Sequence, residues 1–104
     1  MPAAHSRIRL DLNNPEFQEM LFRLEATELK QVIASLRRLR ELPWTEFYRH
    51  KGFHWEAIEY LKAPNDAKVH SLRMSQKIRA LAFRDGEFLR FISLHPDHDS
   101  AYER

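Results

Sequence analysis

Apolar and polar positions follow one another with two different periods along this chain, and the switches between them mark out its elements. Residues 7–12, RIRLDL, alternate strictly, which is the period of a half-buried strand. The run stops at Asn13-Asn14-Pro15. Asn14 fits a helix N-cap, and Pro15 fits the first helical position, where a backbone N–H would go unbonded anyway. Phe17, Met20, Leu21 and Leu24 then recur at helical spacing, with a break expected near Glu25-Ala26 and Thr27 as a second cap. Leu29, Val32, Ile33, Leu36 and Leu39 form the best-defined helical stripe, and Lys30, Arg37, Arg38 and Arg40 fall on its outer side. Pro43 opens a short third helix carrying Trp44, Phe47 and Tyr48, which Gly52 closes. Trp55, Ile58 and Leu61 predict a further helical stripe, stopped by Pro64 and Asn65.

From Lys68 onward the period is two. Leu72 and Met74 alternate with Ser71 and Arg73, and Ile78, Ala80 and Ala82 alternate with Arg79, Leu81 and Phe83. Asp85-Gly86 separates this run from the next, a strong hairpin signal. The last strand runs through residues 88–94 and ends at Pro96, leaving a polar tail over residues 95–104. The order of elements predicts one α+β domain spanning residues 1–104. A short N-terminal strand and helices pack on one face of a twisted antiparallel sheet built as a three-strand meander. So short a chain cannot cover both faces equally, so the open face, with its basic strands, is the candidate binding surface.

Composition narrows the chemistry. The 104 residues are 43% hydrophobic with only two glycines, which suits a packed fold rather than a disordered or repetitive one. There is no cysteine, which excludes a disulfide scaffold, thiolate zinc sites, iron–sulfur clusters and thiol catalysis. No stretch approaches the roughly 18 apolar residues of a membrane span, and residues 1–6 lack the apolar core of a signal peptide. A cytoplasmic protein without a membrane partner is the expectation.

Charge adds direction. Residues 1–67 hold ten Lys/Arg and ten Asp/Glu, whereas residues 68–104 hold seven and five and so carry the whole net +2. Within them residues 68–84, KVHSLRMSQKIRALAFR, contain Lys68, Arg73, Lys77, Arg79 and Arg84 with no acid. Such a window suits either a solvated strand surface or an anionic partner, a phosphate backbone or an acidic protein segment. Guanidinium groups on adjacent strands grip phosphate bidentately and can stabilise charge developing on a phosphoryl oxygen. Arg79 is in phase with Leu81 and Phe83, odd company for a charge, so it either lies at the sheet margin or faces a concavity where its charge is used.

The tail offers His95, Asp97, His98 and Asp99 on an expected loop. These are metal-ligand types, but the set is short and lacks the supporting histidines of a zinc signature, so no metal is assigned. Histidines can instead exchange protons near neutrality in phosphodiester cleavage, or serve only as polar loop residues. Tyr102 can stack on a base, offer its hydroxyl to the reacting centre, or pin the C-terminus. His70 is a weaker candidate on the strand surface.

Residues 70–102, HSLRMSQKIRALAFRDGEFLRFISLHPDHDSAY, resemble the RelE/ParE superfamily of bacterial toxins. The shared pattern is a basic strand ending in L-R, a short turn, a second strand with an arginine two residues past Lys77, an acidic-glycine hairpin, an apolar strand and a polar tail ending in tyrosine. Residues 42–58, LPWTEFYRHKGFHWEAI, resemble a connecting segment of relatives described as cytotoxic translational repressors. The resemblance implies a microbial-ribonuclease-like body that cleaves messenger RNA on the ribosome by 2′-hydroxyl transfer, with neither metal nor cofactor. It also implies a cognate antitoxin that neutralises the enzyme, and operator DNA contacted only through the antitoxin complex. By position Arg79 matches the catalytic arginine, Arg73 a basic position that contacts RNA, and Tyr102 the tail tyrosine. His98 or His95 would then exchange protons, and Lys68, His70, Lys77 and Arg84 would bind RNA. The tail departs from the family pattern, with histidines and aspartates where the best-known ribonucleases have an additional arginine. A ParE-like inhibitor of DNA gyrase and a catalytically degenerate toxin that only holds its antitoxin are the alternative readings.

Overall fold

A computed structural model describes residues 6–96 of the chain. In order it contains β1 (Arg9–Asp11), α1 (Pro15–Arg23), α2 (Ala26–Leu39), α3 (Trp44–Arg49), a 3-10 turn (Lys51–Phe53), β2 (Glu56–Lys62), β3 (Lys68–Arg73), β4 (Ile78–Asp85) and β5 (Phe88–Pro96). The strands make one sheet in the order β1-β5-β4-β3-β2. It is an α+β domain, but the sheet has five strands and is mixed: β1 runs parallel to β5, and the other neighbours are antiparallel.

Local chemistry accounts for the helices. Asn14 caps α1, its side-chain oxygen accepting from the N–H groups of Glu16 at 2.8 Å and Phe17 at 3.4 Å, with Pro15 at the first helical position. The break before α2 falls where expected, but Glu25 is the cap residue and Thr27 lies within the helix, because Leu29 N–H already bonds to Glu25 C=O at 2.8 Å. Val32, Leu36 and Leu39 are buried, with Ser35 beside them, whereas Ile33 at the margin of the stripe stays 40% exposed. The third helix ends at Arg49 rather than Gly52, because the chain turns at His50, whose Nδ1 accepts from Gly52 N–H at 3.2 Å.

Residues 56–62 form a strand, not the helix that the spacing of Trp55, Ile58 and Leu61 suggests. Pairing with β3 slips between Ala57 and Lys62, where five steps along β2 match two along β3. That bulge lets Ile58 and Leu61, three residues apart, pack on one apolar cluster, which mimics helical periodicity in the sequence. The β4–β5 hairpin forms as expected, but its two turn residues are Gly86 and Glu87. Gly86 takes φ +65° and Asp85 remains in the strand, paired with Phe88.

The helices cover one face. Phe17, Leu21, Val32, Leu36, Leu39, Trp44, Phe47 and Phe53 pack against Leu72, Met74, Ile78, Ala80, Ala82, Leu89, Phe91 and Leu94 from alternate sheet positions. Phe17 meets Phe91 at 5.0 Å between ring centroids. Ser35 Oγ donates to Met74 C=O at 2.5 Å, and Trp44 Nε1 donates to Glu87 C=O at 3.0 Å, tying helices to turns. The opposite face carries only a small cluster: Ala63, Val69 and Phe83, flanked by Ile58, Leu61, Leu81 and Ile92. No helix among the described residues is long and apolar enough to cross a membrane.

At the β1 edge Arg90 donates to Asp11 at 2.6 Å and to Asp85 at 2.9 Å. The Asn13 N–H, and next the Arg90 guanidinium, hold the Asp11 carboxyl below its ordinary 3.8 against the opposing effect of burial. A folded-state pKa below the unfolded one gives stability that is present above the unfolded value and lost as pH falls through the folded value. Asp11→Asn is therefore expected to flatten the loss of stability below about pH 4, read by thermal melts across the acid range. Asn14→Ala should lower the unfolding free energy by about 1 kcal/mol and Asn14→Gly by only a few tenths, read by urea denaturation.

Candidate functional site

The open face owes its chemistry to sheet register. Arg73 on β3 pairs with Arg79 on β4, and Arg79 pairs with His95 on β5. Directly opposed residues in an antiparallel sheet project from the same face, so the three form one row across three strands. The neighbouring row is Ser71, Leu81 and Ser93. Ser93 Oγ and His95 Nε2 are hydrogen-bonded at 2.8 Å, which orients the imidazole.

His95 reaches this face because of a second bulge. Leu81 pairs with Ser93 and Ala82 with Phe91, so Ile92 is an extra residue on β5. Simple alternation from Leu89 and Phe91 would send residues 93 and 95 into the helix layer. The extra residue sends Leu94 inward instead and brings Ser93 and His95 out beside Leu81 and Arg79. His95 thus sits within β5, not on the expected loop.

Glu56 on β2 pairs with Ser71. Together with His54, Ser71, Leu72, Arg73 and Arg79 it lines a cleft of ≈ 270 Å³. His54 holds a left-handed backbone, φ 50° and ψ 57°, where the chain leaves the 3-10 turn to enter β2. That conformation is strained for a residue with a Cβ, and His54 borders both this cleft and one beside Tyr48, His50 and Trp55. Neither His54 nor Glu56 is evident in the sequence. Recognising residues 56–62 as a strand beside β3 would have placed Glu56 next to the arginines. Arg79 and His95 also border a wider cleft of ≈ 630 Å³ against β2, so Arg79 is shared by both.

The acid-free basic window divides. Arg73 and Arg79 lie at one end of the sheet beside the turn that holds Lys77, and among the described residues none of the three is ion-paired. Lys68, at the other end of β3, pairs with Glu59 at 3.0 Å. His70 is in phase with Leu72, on the helix side, where it stacks on Trp55 at 4.1 Å and burial pushes its pKa down. Arg84 lies over the Trp44 ring at 4.3 Å and donates to Tyr48 Oη at 2.8 Å and to Gly86 C=O at 2.7 Å. Structure therefore brings Arg73, Arg79, His95 and the neighbourhood of Lys77 together, and sets Lys68, His70 and Arg84 apart from them. His98 and Tyr102 lie outside the described residues, as do Asp97 and Asp99. Among the described residues no three His, Asp or Glu side chains gather as a metal-binding group.

Like charges at directly opposed positions of a sheet are destabilising, and Arg73 and Arg79 occupy such positions. The arrangement suits an oxyanion held by Arg73 and Arg79, with the imidazoles of His95 and His54 and the carboxylate of Glu56 at its margins to move protons. Comparison with protein-family models, with curated proteins and with solved structures returned no match to this chain.

The two classes of arginine should separate in stability. Arg84→Ala is expected to cost about 1 kcal/mol by losing the Trp44 contact and its hydrogen bonds. Arg73→Ala and Arg79→Ala should leave stability unchanged or raise it by a few tenths of a kcal/mol, since each removes like-charge repulsion. Parallel denaturant titrations of the three variants check this.

Proposed function

We propose that this chain is the toxin of a toxin–antitoxin pair, a RelE-like ribonuclease that cleaves messenger RNA on the ribosome without metal or cofactor. The observation that carries this reading is the row Arg73–Arg79–His95 on the uncovered face, two opposed cations and a titratable imidazole in one line. The resemblance of residues 70–102 supports it further. The row suits a phosphodiester better than a carboxylate side chain, because two planar guanidinium groups match the several oxygens of a phosphate.

In the proposed reaction a base removes the proton of the ribose 2′-hydroxyl, and O2′ attacks the adjacent phosphorus. The P–O5′ bond breaks, leaving a 2′,3′-cyclic phosphate on one fragment, and the departing O5′ takes a proton to become a hydroxyl. Arg79 and Arg73 stabilise the extra negative charge on the non-bridging oxygens as phosphorus becomes five-coordinate. His95, held by Ser93, exchanges protons, and Glu56 and His54 stand across the cleft as the complementary acid–base groups. His98 and Tyr102 belong to the same proposal as further tail groups for proton exchange and substrate orientation. A cognate antitoxin neutralises the toxin by covering the basic row with acidic or apolar groups, and operator DNA is reached only through that complex.

Inducible expression with primer-extension mapping of messenger RNA tests the reading. The wild-type chain should arrest growth and cut translated messages. Arg79→Ala should reduce cleavage by about 100-fold or more while the protein stays folded. A folded Arg79→Ala variant that remains fully toxic overturns the assignment. Uncut messages together with a DNA-damage response would favour the gyrase-directed reading instead.

A further inference from the structure

Tyr60 is the most exposed aromatic side chain among the described residues, and the row of charges does not use it. It lies on the edge strand β2 and is 86% exposed. Other aromatic residues are packed ring against ring on the helix side, where Trp44, Phe47, Phe53 and Trp55 form a continuous set. Tyr60 instead borders the wider cleft, whose apolar wall is made by Ile58, Leu61 and Leu81, with Arg79 and His95 at its charged side. An apolar wall, a solvent-facing ring and a cation at one margin are the complement of a nucleotide: a flat hydrophobic base joined to a phosphate.

We propose that Tyr60, which borders the same cleft as Ile58 and Leu61, is a stacking platform for a base of single-stranded RNA adjoining the phosphate that Arg79 holds. This inference rests on the ribonuclease reading and deepens it, because Arg79 borders both clefts and so joins the phosphate site to the base site. The polar cleft with His54, Glu56 and Arg73 takes the reacting phosphate, and the apolar cleft takes the neighbouring base. Stacking needs only a π-face, so the site holds any base and supplies register rather than sequence preference.

The edge itself argues for a base rather than an added polypeptide strand. Between Ala57 and Lys62 the register with β3 slips, so β2 does not present the even ladder of N–H and C=O groups that strand addition uses. A stacked base needs no ladder, only the ring and the wall.

The test is fluorescence anisotropy of a labelled, 2′-O-methylated RNA oligonucleotide, which cannot be cleaved by 2′-hydroxyl transfer. It is compared with the same strand made abasic at every position. Tyr60→Ala should weaken binding of the base-bearing strand about tenfold and leave binding of the abasic strand unchanged, while Tyr60→Phe binds both as wild type does. Arg79→Ala should weaken both strands. Equal weakening of both strands by Tyr60→Ala, or no weakening of either, overturns the proposal and leaves the phosphate reading standing if Arg79→Ala still acts. A wild-type chain that binds neither strand overturns the stacking site, while cleavage on the ribosome is judged by primer extension. Nucleic-acid binding untouched by Tyr60→Ala, with loss of an antitoxin from the complex, assigns the surface to a polypeptide and overturns the stacking site.

Discussion

One extra residue in β5 decides how this small sheet divides its labour. Ile92 has no partner on β4, so the strand changes face midway along its length. Before it, Leu89 and Phe91 point into the helix layer. After it, Leu94 does so, while Ser93 and His95 emerge on the other side. The offset cannot drift: a slip of one residue would withdraw Phe91 or Leu94 from the core and bury an imidazole among apolar side chains. Core packing therefore enforces the position of His95, and the row it shares with Arg79 and Arg73 follows from hydrophobic burial several ångströms away.

The same charge plays different roles at different places in the sheet. Arg84 is satisfied: its guanidinium lies over Trp44, bonds to Tyr48 and closes the turn at Gly86. Arg90 is held between Asp11 and Asp85 and secures the short first strand. Arg73 and Arg79 face each other instead, an arrangement folding alone does not favour. An anion laid over the pair would relieve that opposition.

Much of this was legible in the amino-acid order. The Asn14-Pro15 helix start, the stripe of Val32, Leu36 and Leu39, and the alternation from Lys68 to Phe83 each follow from local rules of capping and periodicity. The phase of Arg79 with Leu81 and Phe83 marked it as an unusual charge at the sheet margin or in a concavity, and register with Arg73 and His95 sets it on the open face. What escaped was governed by non-local geometry. Ile58 and Leu61 mimic a helical stripe because a bulge brings residues three apart onto one face, and this hid the fifth strand and with it Glu56. His95 looked like a loop residue because a bulge leaves no mark in composition. Arg84 looked free to bind RNA because nothing in the sequence tells that a distant Trp44 will lie beneath it. His54 needs a left-handed backbone, which the sequence around it does not advertise as a glycine would.

The parallel pairing of β1 with β5 bears on how the chain comes into being. Residues 9–11 meet partners at residues 88–90, with every other helix and strand of the fold between them. Synthesis delivers β1 before all of these, and it must wait, unpaired, until β5 is made. The helices and the β3–β4 ladder can organise meanwhile, because their contacts are closer in sequence. The β1 edge and the third member of the basic row both arrive with β5. A chain made only as far as β4 thus carries the arginines without the assembled row, and whatever that surface does is withheld until β5 has been made.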